Sequence, residues 1–255
     1  MAPLHRRSKV STLSRRSTFT PRRAWQPLAG SIAALVLVTA APLHAVSGIN
    51  APLSIPLPDW NLNPGSGDWN TAANWMSATV PNSSGAVAVF ATSTVTSLGI
   101  SHGTRVHEIT YNPGASAFTV SNTQFSFDFD GVGIANNSGL VQNFVAGAFT
   151  GGSAFGSNGA FGFNTNASAG VLTKFTANGG VAGNLLSSGG ITFLNTSTAG
   201  SAVFAINGGN LAGASGANVA FFNTSTAGNS TVTVNGGPAA STGGGTVRFF
   251  RETLI

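Results

Sequence analysis

The stretch ITFLNTSTAGSAVFAINGG, residues 191–209, returns as VAFFNTSTAGNSTVTVNGG, residues 219–237. Both copies keep NTSTAG and the apolar pairs on either side of it. The first apolar pair occurs four times at nearly equal spacing: Phe161 and Phe163, Ile191 and Phe193, Val219 and Phe221, Val247 and Phe249. A near-constant period of this size indicates a fold built from repeating units.

Each unit contains two short runs in which apolar and polar residues alternate, which is the pattern of a half-buried strand. Asn and Gly, which accept turn conformations at little cost, follow each run. An antiparallel sandwich or a parallel solenoid can use such strands, but only stacked coils require a constant period. We therefore predict an all-β fold, a parallel β-helix or solenoid with coils of about 28 residues. Phe193, Phe221 and Phe249 should form one internal column, with NTSTAG as a corner that hydrogen-bonds along the stack.

The N-terminus has the order of segments that a secretory signal requires. Seven of the eleven Lys and Arg residues precede residue 24, an apolar run follows over Leu28–Ala41, and Leu43-His44-Ala45 is a small-x-small cleavage site. The run is shorter than the roughly 20 residues needed to span a membrane. The sequence predicts a signal peptide over 1–45, cleavage before Val46, and no stable membrane span in the mature chain.

The composition of the remaining chain excludes some classes of function. Four Lys and Arg face six Asp and Glu after residue 45, so the net charge of +5 belongs to the leader and no basic surface for nucleic acid is predicted. The chain has no cysteine, which excludes disulfides and thiolate metal sites. We expect stability to come from packing and backbone pairing.

A tryptophan-rich segment follows the predicted cleavage site. Trp60, Trp69 and Trp75 lie close together in the sequence, among Asn, Gly and Pro. We predict an aromatic N-terminal cap that seals the first coil; the alternative is an aromatic platform for sugar rings. The resulting division is a signal peptide over 1–45, the cap and first strands over 46–120, and solenoid repeats over 121–255.

A few polar residues are candidates for chemistry. Asp128 and Asp130 lie on one face of the alternating strand FSFDFDG, a spacing of roughly 7 Å that suits a glycosidase pair or a Ca²⁺ site, but solvated acids are the favoured interpretation. His102, His107 and Glu108 offer metal ligands, although the alternation around them favours an edge strand. GVGIANNSG, residues 131–139, has Asn136 where a dinucleotide fingerprint needs glycine and is interpreted as a turn. We predict no catalytic residue, cofactor site or metal site.

Three stretches carry a resemblance to a known family. WNTAANWMSATVPNSSGAVAVF from Trp69, GVGIANNSGLVQNF from Gly131 and the repeated NTSTAG units resemble exported bacterial proteins with autotransporter-associated β-strand repeats. The resemblance covers most of residues 60–250 and implies a passenger-type β-helix that reaches the cell surface. The chain stops at RFFRETLI, where a further corner is expected, and we expect a truncated reading frame of a longer passenger.

These observations predict a non-enzymatic β-solenoid stalk that is exported to the cell surface or the extracellular space. Its expected partners are host or neighbouring cell surfaces, glycans or matrix. The alternative function is a carbohydrate-binding or polysaccharide-degrading module on a β-helix scaffold, with Asp128, Asp130 and the tryptophans as its candidates.

Overall fold

Parallel strands form two sheets in the computed structural model, which describes residues 58–148, 159–181, 188–238 and 241–250. The predicted signal peptide and the tail RETLI lie outside the described residues. Strands are numbered in chain order. The first sheet contains β1 (Val87–Phe90), β3 (Thr104–Tyr111), β5 (Ser126–Asn136), β7 (Ala160–Phe163), β9 (Gly190–Phe193), β11 (Asn218–Phe222) and β13 (Thr246–Phe250). The second contains β2 (Ser97–Gly99), β4 (Thr119–Asn122), β6 (Gln142–Ala146), β8 (Thr173–Ala177), β10 (Val203–Ile206) and β12 (Thr231–Val234).

The chain alternates between the two sheets, so each circuit places a new strand beside the strand of the circuit before. All pairings between these strands are parallel. Isolated parallel bridges link Ser168 to Thr198 and Thr198 to Thr226 in a third row at the corner. The predicted all-β parallel solenoid is confirmed.

The pairing register follows the sequence repeat. Val219 pairs with Ile191 on one side and with Val247 on the other, each one repeat away in the sequence. Earlier circuits differ in length: Val87 pairs with Glu108 across a short circuit, and Ser126 pairs with Ala160 across a longer one. The regular coil is therefore the unit of the C-terminal part, and the N-terminal circuits keep the stacking without the period.

An uninterrupted column of phenylalanines lies inside the first sheet. Consecutive rings are 4.6 to 4.8 Å apart between centroids and within 11° of parallel, through Phe129, Phe163, Phe193, Phe221 and Phe249. This spacing equals the distance between neighbouring strands, so in-register pairing and ring stacking fix the same geometry. The predicted column is confirmed and extends two rings beyond it.

The second sheet faces this column with its own aromatic row. Phe144 stacks on Phe175, and Phe175 on Phe204, at 4.8 and 5.3 Å. Edge-to-face contacts join the two rows, as between Phe193 and Phe204 at 6.1 Å and 77°. The core is therefore one continuous aromatic layer between the two sheets. Burial of these rings offsets part of the conformational entropy that the chain loses on folding, which a single coil could not do by itself.

The NTSTAG segment forms the corner that the repeat predicts. Asn195 and Asn223 have φ of 57° and 55°, and Gly200 and Gly228 have φ of 60° and 56°. Asn and Gly tolerate this left-handed region better than other residues. The first and last positions of the motif are thus set by backbone conformation.

Side chains of successive corners hydrogen-bond along the stack, as predicted. The Thr224 hydroxyl donates to the Asn195 carbonyl oxygen at 2.9 Å, and the Thr196 hydroxyl donates to the Thr165 carbonyl oxygen at 2.8 Å. A second row connects amides: Asn235 Nδ2 donates to Asn207 Oδ1 at 2.8 Å, and Asn207 Nδ2 to Asn178 Oδ1 at 2.9 Å. These Thr and Asn side chains thereby hydrogen-bond to residues of the neighbouring coil.

Replacing Gly200 with alanine is expected to lower the free energy of unfolding by about 1–3 kcal/mol. The new Cβ would lie 2.7 Å from the Gly170 carbonyl oxygen, at a positive φ that alanine disfavours. Urea titration followed by circular dichroism measures the change. Gly236→Ala is the matched control, because no atom lies within 4 Å of its Cβ position; equal losses in both variants would contradict the corner's role.

The tryptophan-rich segment closes the first end of the stack, as predicted. Residues 58–60 pair with the outer edge of β1, where Trp60 N–H donates to the Val89 carbonyl oxygen at 2.9 Å. Trp69 N–H donates to the Gly99 carbonyl oxygen on the outer edge of β2 at 3.0 Å. We call residues 58–75, which include the 3₁₀ turn Ala72–Asn74, the N-terminal cap.

Two sequence interpretations are wrong in detail. β3, which contains His107 and Glu108, is an interior strand because it pairs with β1 on one side and β5 on the other. The first six residues of GVGIANNSG are strand, not turn, since β5 continues to Asn136. A register shift between Val106 and Glu108 and a φ of 92° at Gly133 let this long strand follow the corner.

Candidate functional site

A cluster of charged and polar side chains lies on the outer face of the first sheet, across β3, β5 and the corner after β7. Arg105 Nε lies 2.8 Å from Asp130 Oδ2, and Asn164 Nδ2 donates to Asp130 Oδ1 at 2.8 Å. The expectation that both acids are merely solvated is therefore wrong for Asp130. Both of its oxygens have partners, and the carboxylate joins two neighbouring strands and the corner that follows.

Asp128 is the second acid of the cluster, and its carboxylate packs directly against the backbone of the neighbouring strand β7. It pairs in register with Arg105 on one side and Gly162 on the other, and a Cβ at Gly162 would collide with its Oδ1. Burial raises the pKa of Asp128, and neighbouring Asp130 adds to the effect, while Arg105 and a hydrogen bond from Ser126 oppose it. A carboxyl with a raised pKa beside a second carboxyl is an arrangement that acid–base chemistry can use.

The described neighbours of the cluster do not add further metal-ligating side chains to it. Among the described residues, no group of three or more His, Asp or Glu side chains lies close enough together to hold a metal ion. Asp130 is committed to Arg105 and Asn164. The arrangement can link β3, β5 and the corner after β7, and it leaves Asp128 as the one acid of the pair without a salt bridge within the described parts.

Asp128→Asn is expected to raise the melting temperature at pH 7 and leave it nearly unchanged at pH 3. Folding raises the pKa of Asp128 above the ordinary 3.8, so the folded state holds the proton to a higher pH than the unfolded chain. Stability is therefore lost as pH rises through the interval above 3.8. Thermal melts of wild type and variant between pH 3 and pH 7 measure the difference.

Asp68→Asn is the matched control for Asp128→Asn, because the pKa of Asp68 is shifted in the opposite direction. Burial alone would raise its pKa, but hydrogen bonds from Thr71, Ser101 and the Asn70 backbone, together with His102, lower it below 3.8. Its stabilising contribution is present at neutral pH and lost as pH falls through the lowered pKa. Asp68→Asn should therefore lower the melting temperature at pH 7, and a change of the same sign in both variants would contradict these assignments.

The histidine and glutamate candidates do not come together. The His102 ring stacks on Phe125 with centroids 6.2 Å apart, outside β3. His107 lies against Gly131, and Glu108 Oε1 accepts a hydrogen bond from the Thr110 hydroxyl at 2.7 Å. Each side chain is used by its own neighbours, which favours a structural role over ligation.

The three tryptophans that the structure describes, all in the N-terminal cap, have no ring face free for sugar stacking. Trp60, Trp69 and Trp75 are 3%, 0% and 1% exposed. Their rings contact one another and Phe90 and Phe127 at 4.9 to 6.0 Å. Their indole N–H groups donate to the carbonyl oxygens of Val95, Pro81 and Trp69. The aromatic platform of the alternative function is thus absent from the described surface of the cap.

Sequence reasoning missed three buried amides that link the N-terminal circuits. Asn122 Nδ2 donates to the carbonyl oxygens of Phe125 and Ala160, and Gln142 Oε1 accepts from Phe118 N–H at 2.7 Å. Asn136 Nδ2 donates to the Leu140 and Leu172 carbonyl oxygens, at 2.9 and 2.8 Å. The sequence did offer one signal for them, since each of these amides is the first or last residue of a strand in which apolar and polar residues alternate.

It also missed an apolar surface at the last described strand. Phe222 and Phe250 stack on the outer face at 4.5 Å, beside Arg248. Phe249, on the inner face, is 63% exposed although it belongs to the aromatic column. The repeat does contain these residues, but the periodicity alone did not show that they would form an exposed apolar surface on this strand.

No helix in the described parts of the chain is long and apolar enough to cross a membrane. Comparisons of the chain with family models, with curated proteins and with solved structures found no match.

Proposed function

We propose that this chain is an exported, non-enzymatic β-solenoid stalk that is displayed at the cell surface or released from the cell. The observation that carries the proposal is the continuous column from Phe129 to Phe249, with centroid spacings of 4.6 to 4.8 Å. One aromatic core shared by consecutive coils suits a rod, because each coil buries its neighbour and none folds alone. The basic and apolar leader over 1–45 supports export.

The long sides of the stack are the surface that a stalk would offer to partners. Corner side chains such as Thr196, Thr224 and Asn195 are exposed or partly exposed and recur at the same height in successive coils. Hydroxyl and amide groups in rows can hydrogen-bond to glycans. We therefore propose that cell surfaces, glycans or matrix are the partners, with affinity arising from many weak repeated contacts.

Export is tested by expressing the full chain with a C-terminal tag in a bacterial host and sequencing the N-terminus of the secreted product. We expect cleavage before Val46. Leu35→Arg is the control, because it places a charge in the apolar run Leu28–Ala41 and should keep the precursor inside the cell. A wild-type product that stays in the cytosol with its leader intact would remove the exported part of the proposal.

The non-enzymatic part is tested on a panel of polysaccharides with the full chain and with an Asp128→Ala, Asp130→Ala double variant. We expect no release of reducing ends by either protein and equal retention of both on the panel. Hydrolysis by the wild type that disappears in the double variant would support the alternative enzyme instead.

A further inference from the structure

An open groove of about 630 Å³ lies on the outer face of β11 and β13, and its volume is within the range of sites for small ligands. The stacked rings of Phe222 and Phe250 line one end of it. Serines and glycines line the other end, where the chain enters the two strands. We call it the Arg248 groove. Between its ends lie two pairs of register partners, Asn218 with Thr246 and Ala220 with Arg248.

The Arg248 groove belongs to the outer face of the sheet and not to its edge. β11 is an interior strand, because it pairs with β9 on one side and with β13 on the other. Its outward residues Asn218 and Phe222 are nevertheless partly exposed. Successive side chains of a strand point to opposite faces of the sheet, so pairing at the edges leaves the outward ones accessible.

Arg248 gives the groove a positive charge. Its side chain is exposed, and no carboxylate of the described residues forms a salt bridge with it. The sequence contains no Asp or Glu from residue 131 to residue 251, so the acids of the described chain all belong to its N-terminal circuits. The guanidinium group is planar and fits a carboxylate through two parallel hydrogen bonds. The charge in the groove therefore favours a carboxylate ligand.

The aromatic end of the groove favours an anion as well. The rings of Phe222 and Phe250 are 4.5 Å apart and within 9° of parallel, so their facing sides cover each other and ring edges line the groove. The edge of an aromatic ring carries partial positive charge. Asn218 and Thr246 add an amide and a hydroxyl group, which hydrogen-bond to hydroxyl groups of a ligand.

We propose that the Arg248 groove binds a uronic-acid residue of an acidic polysaccharide. Arg248 holds the carboxylate, with the ring edges of Phe222 and Phe250 beside it, and Asn218 and Thr246 bind the hydroxyl groups of the sugar. The groove is open to solvent, so a sugar within a longer chain can enter it. This inference rests on the glycan binding proposed above and names the class of glycan.

The test is a titration of the full chain with oligogalacturonate at physiological ionic strength. The methyl ester of the same oligomer is the control ligand, because it keeps the sugar rings and hydroxyl groups and lacks the charge. We expect the acid to bind roughly tenfold more tightly than the ester, as a charged hydrogen-bonded pair predicts. Equal binding of acid and ester, or equally tight binding of polyglutamate, would overturn the proposal.

Arg248→Gln should weaken oligogalacturonate binding roughly tenfold, and Lys174→Gln should leave it unchanged. Lys174 is an exposed cation on β8, in the other sheet. Each variant removes one positive charge, but only the first removes it from the groove. Both keep the basic residues of the leader, whose attraction for an anionic glycan is then the same in the two. Equal losses would indicate general charge attraction and would contradict a site at Arg248.

Gly244→Leu tests the groove without a change of charge. A Cβ at Gly244 meets no atom within 4 Å and the residue has no positive φ, so the variant should fold with its side chain inside the groove. Gly236→Leu is the matched control, because its Cβ also meets open space and it does not line the groove. Only Gly244→Leu should bind more weakly, and unchanged binding by this variant would count against the groove.

Hydrogen exchange locates the bound sugar. Oligogalacturonate should slow exchange in β11 and β13 and leave β1 and β2 unchanged; slower exchange in β1 and β2 alone would place the ligand elsewhere and overturn the assignment. A chain that binds neutral and acidic glycans equally well would keep the glycan binding proposed above and overturn this inference alone. A chain that binds neither would overturn both.

Discussion

Phe193→Ala is expected to lower the free energy of unfolding by about 3–5 kcal/mol. Phe193 is fully buried, its ring is stacked between Phe163 and Phe221 at 4.7 and 4.8 Å, and Phe204 meets its edge. Truncation leaves a cavity that the stacked neighbours cannot close, because strand pairing holds them in register. Equilibrium urea unfolding followed by tryptophan fluorescence and circular dichroism measures the loss.

Thr192→Ala is the matched control for this column. Thr192 is the neighbouring residue in β9 and lies on the outer side of the same sheet. Its replacement should change the free energy of unfolding by no more than about 0.5 kcal/mol. Similar losses at both positions would show that stability depends on strand propensity and not on the aromatic column.

Trp69→Ala is expected to cost about 3–5 kcal/mol as well, with the effect concentrated at the capped end. The Trp69 ring contacts Trp75, Phe90 and Phe127 at 4.9, 5.6 and 5.0 Å, and its Nε1 donates to the Pro81 carbonyl oxygen at 3.3 Å. Its loss removes the packing that holds the cap on β1 and β2. Hydrogen exchange should therefore accelerate at Val89 and Gly99 before it does so in β9 or β11.

Leu62→Ala is the control within the cap. Leu62 is 56% exposed, so its truncation should leave both stability and exchange at β1 almost unchanged. Uniformly faster exchange along the whole stack in Trp69→Ala would contradict a local role and would indicate that the solenoid unfolds as one unit. That outcome would also change how the loss in Phe193→Ala is interpreted.

The C-terminal coils could be predicted from the sequence residue by residue. Val219 and Phe221 pair with the partners that the repeat spacing assigns to them, because in-register parallel stacking places like residues above one another. The corner conformations at Asn195 and Gly200 follow from the same repetition. Repetition supplied here the long-range information that a single strand pattern lacks.

The N-terminal circuits could be predicted only in outline, since their lengths vary. The circuit from β1 to β3 is shorter than the circuit from β5 to β7, so the sequence spacing does not show which strands are neighbours. For this reason β3 was predicted to be an edge strand. The bond between Arg105 and Asp130 joins residues of strands whose register shifts between Val106 and Glu108. No pattern in the sequence reports such a shift.

The fixed period in the C-terminal coils has a consequence for how such a chain can change in length. One whole repeat runs from Gly190 to the position before Asn218, and those two residues are aligned partners in neighbouring strands. Duplicating that segment in the gene would add one coil. Its phenylalanine, NTSTAG corner and asparagine side chain would each pack against the equivalent residue of the neighbouring coils. Removing the segment would shorten the molecule and leave the coils on either side in register with each other. Recombination within the repeated part can therefore change the length of the molecule by whole coils, and the contacts between neighbouring coils remain the same.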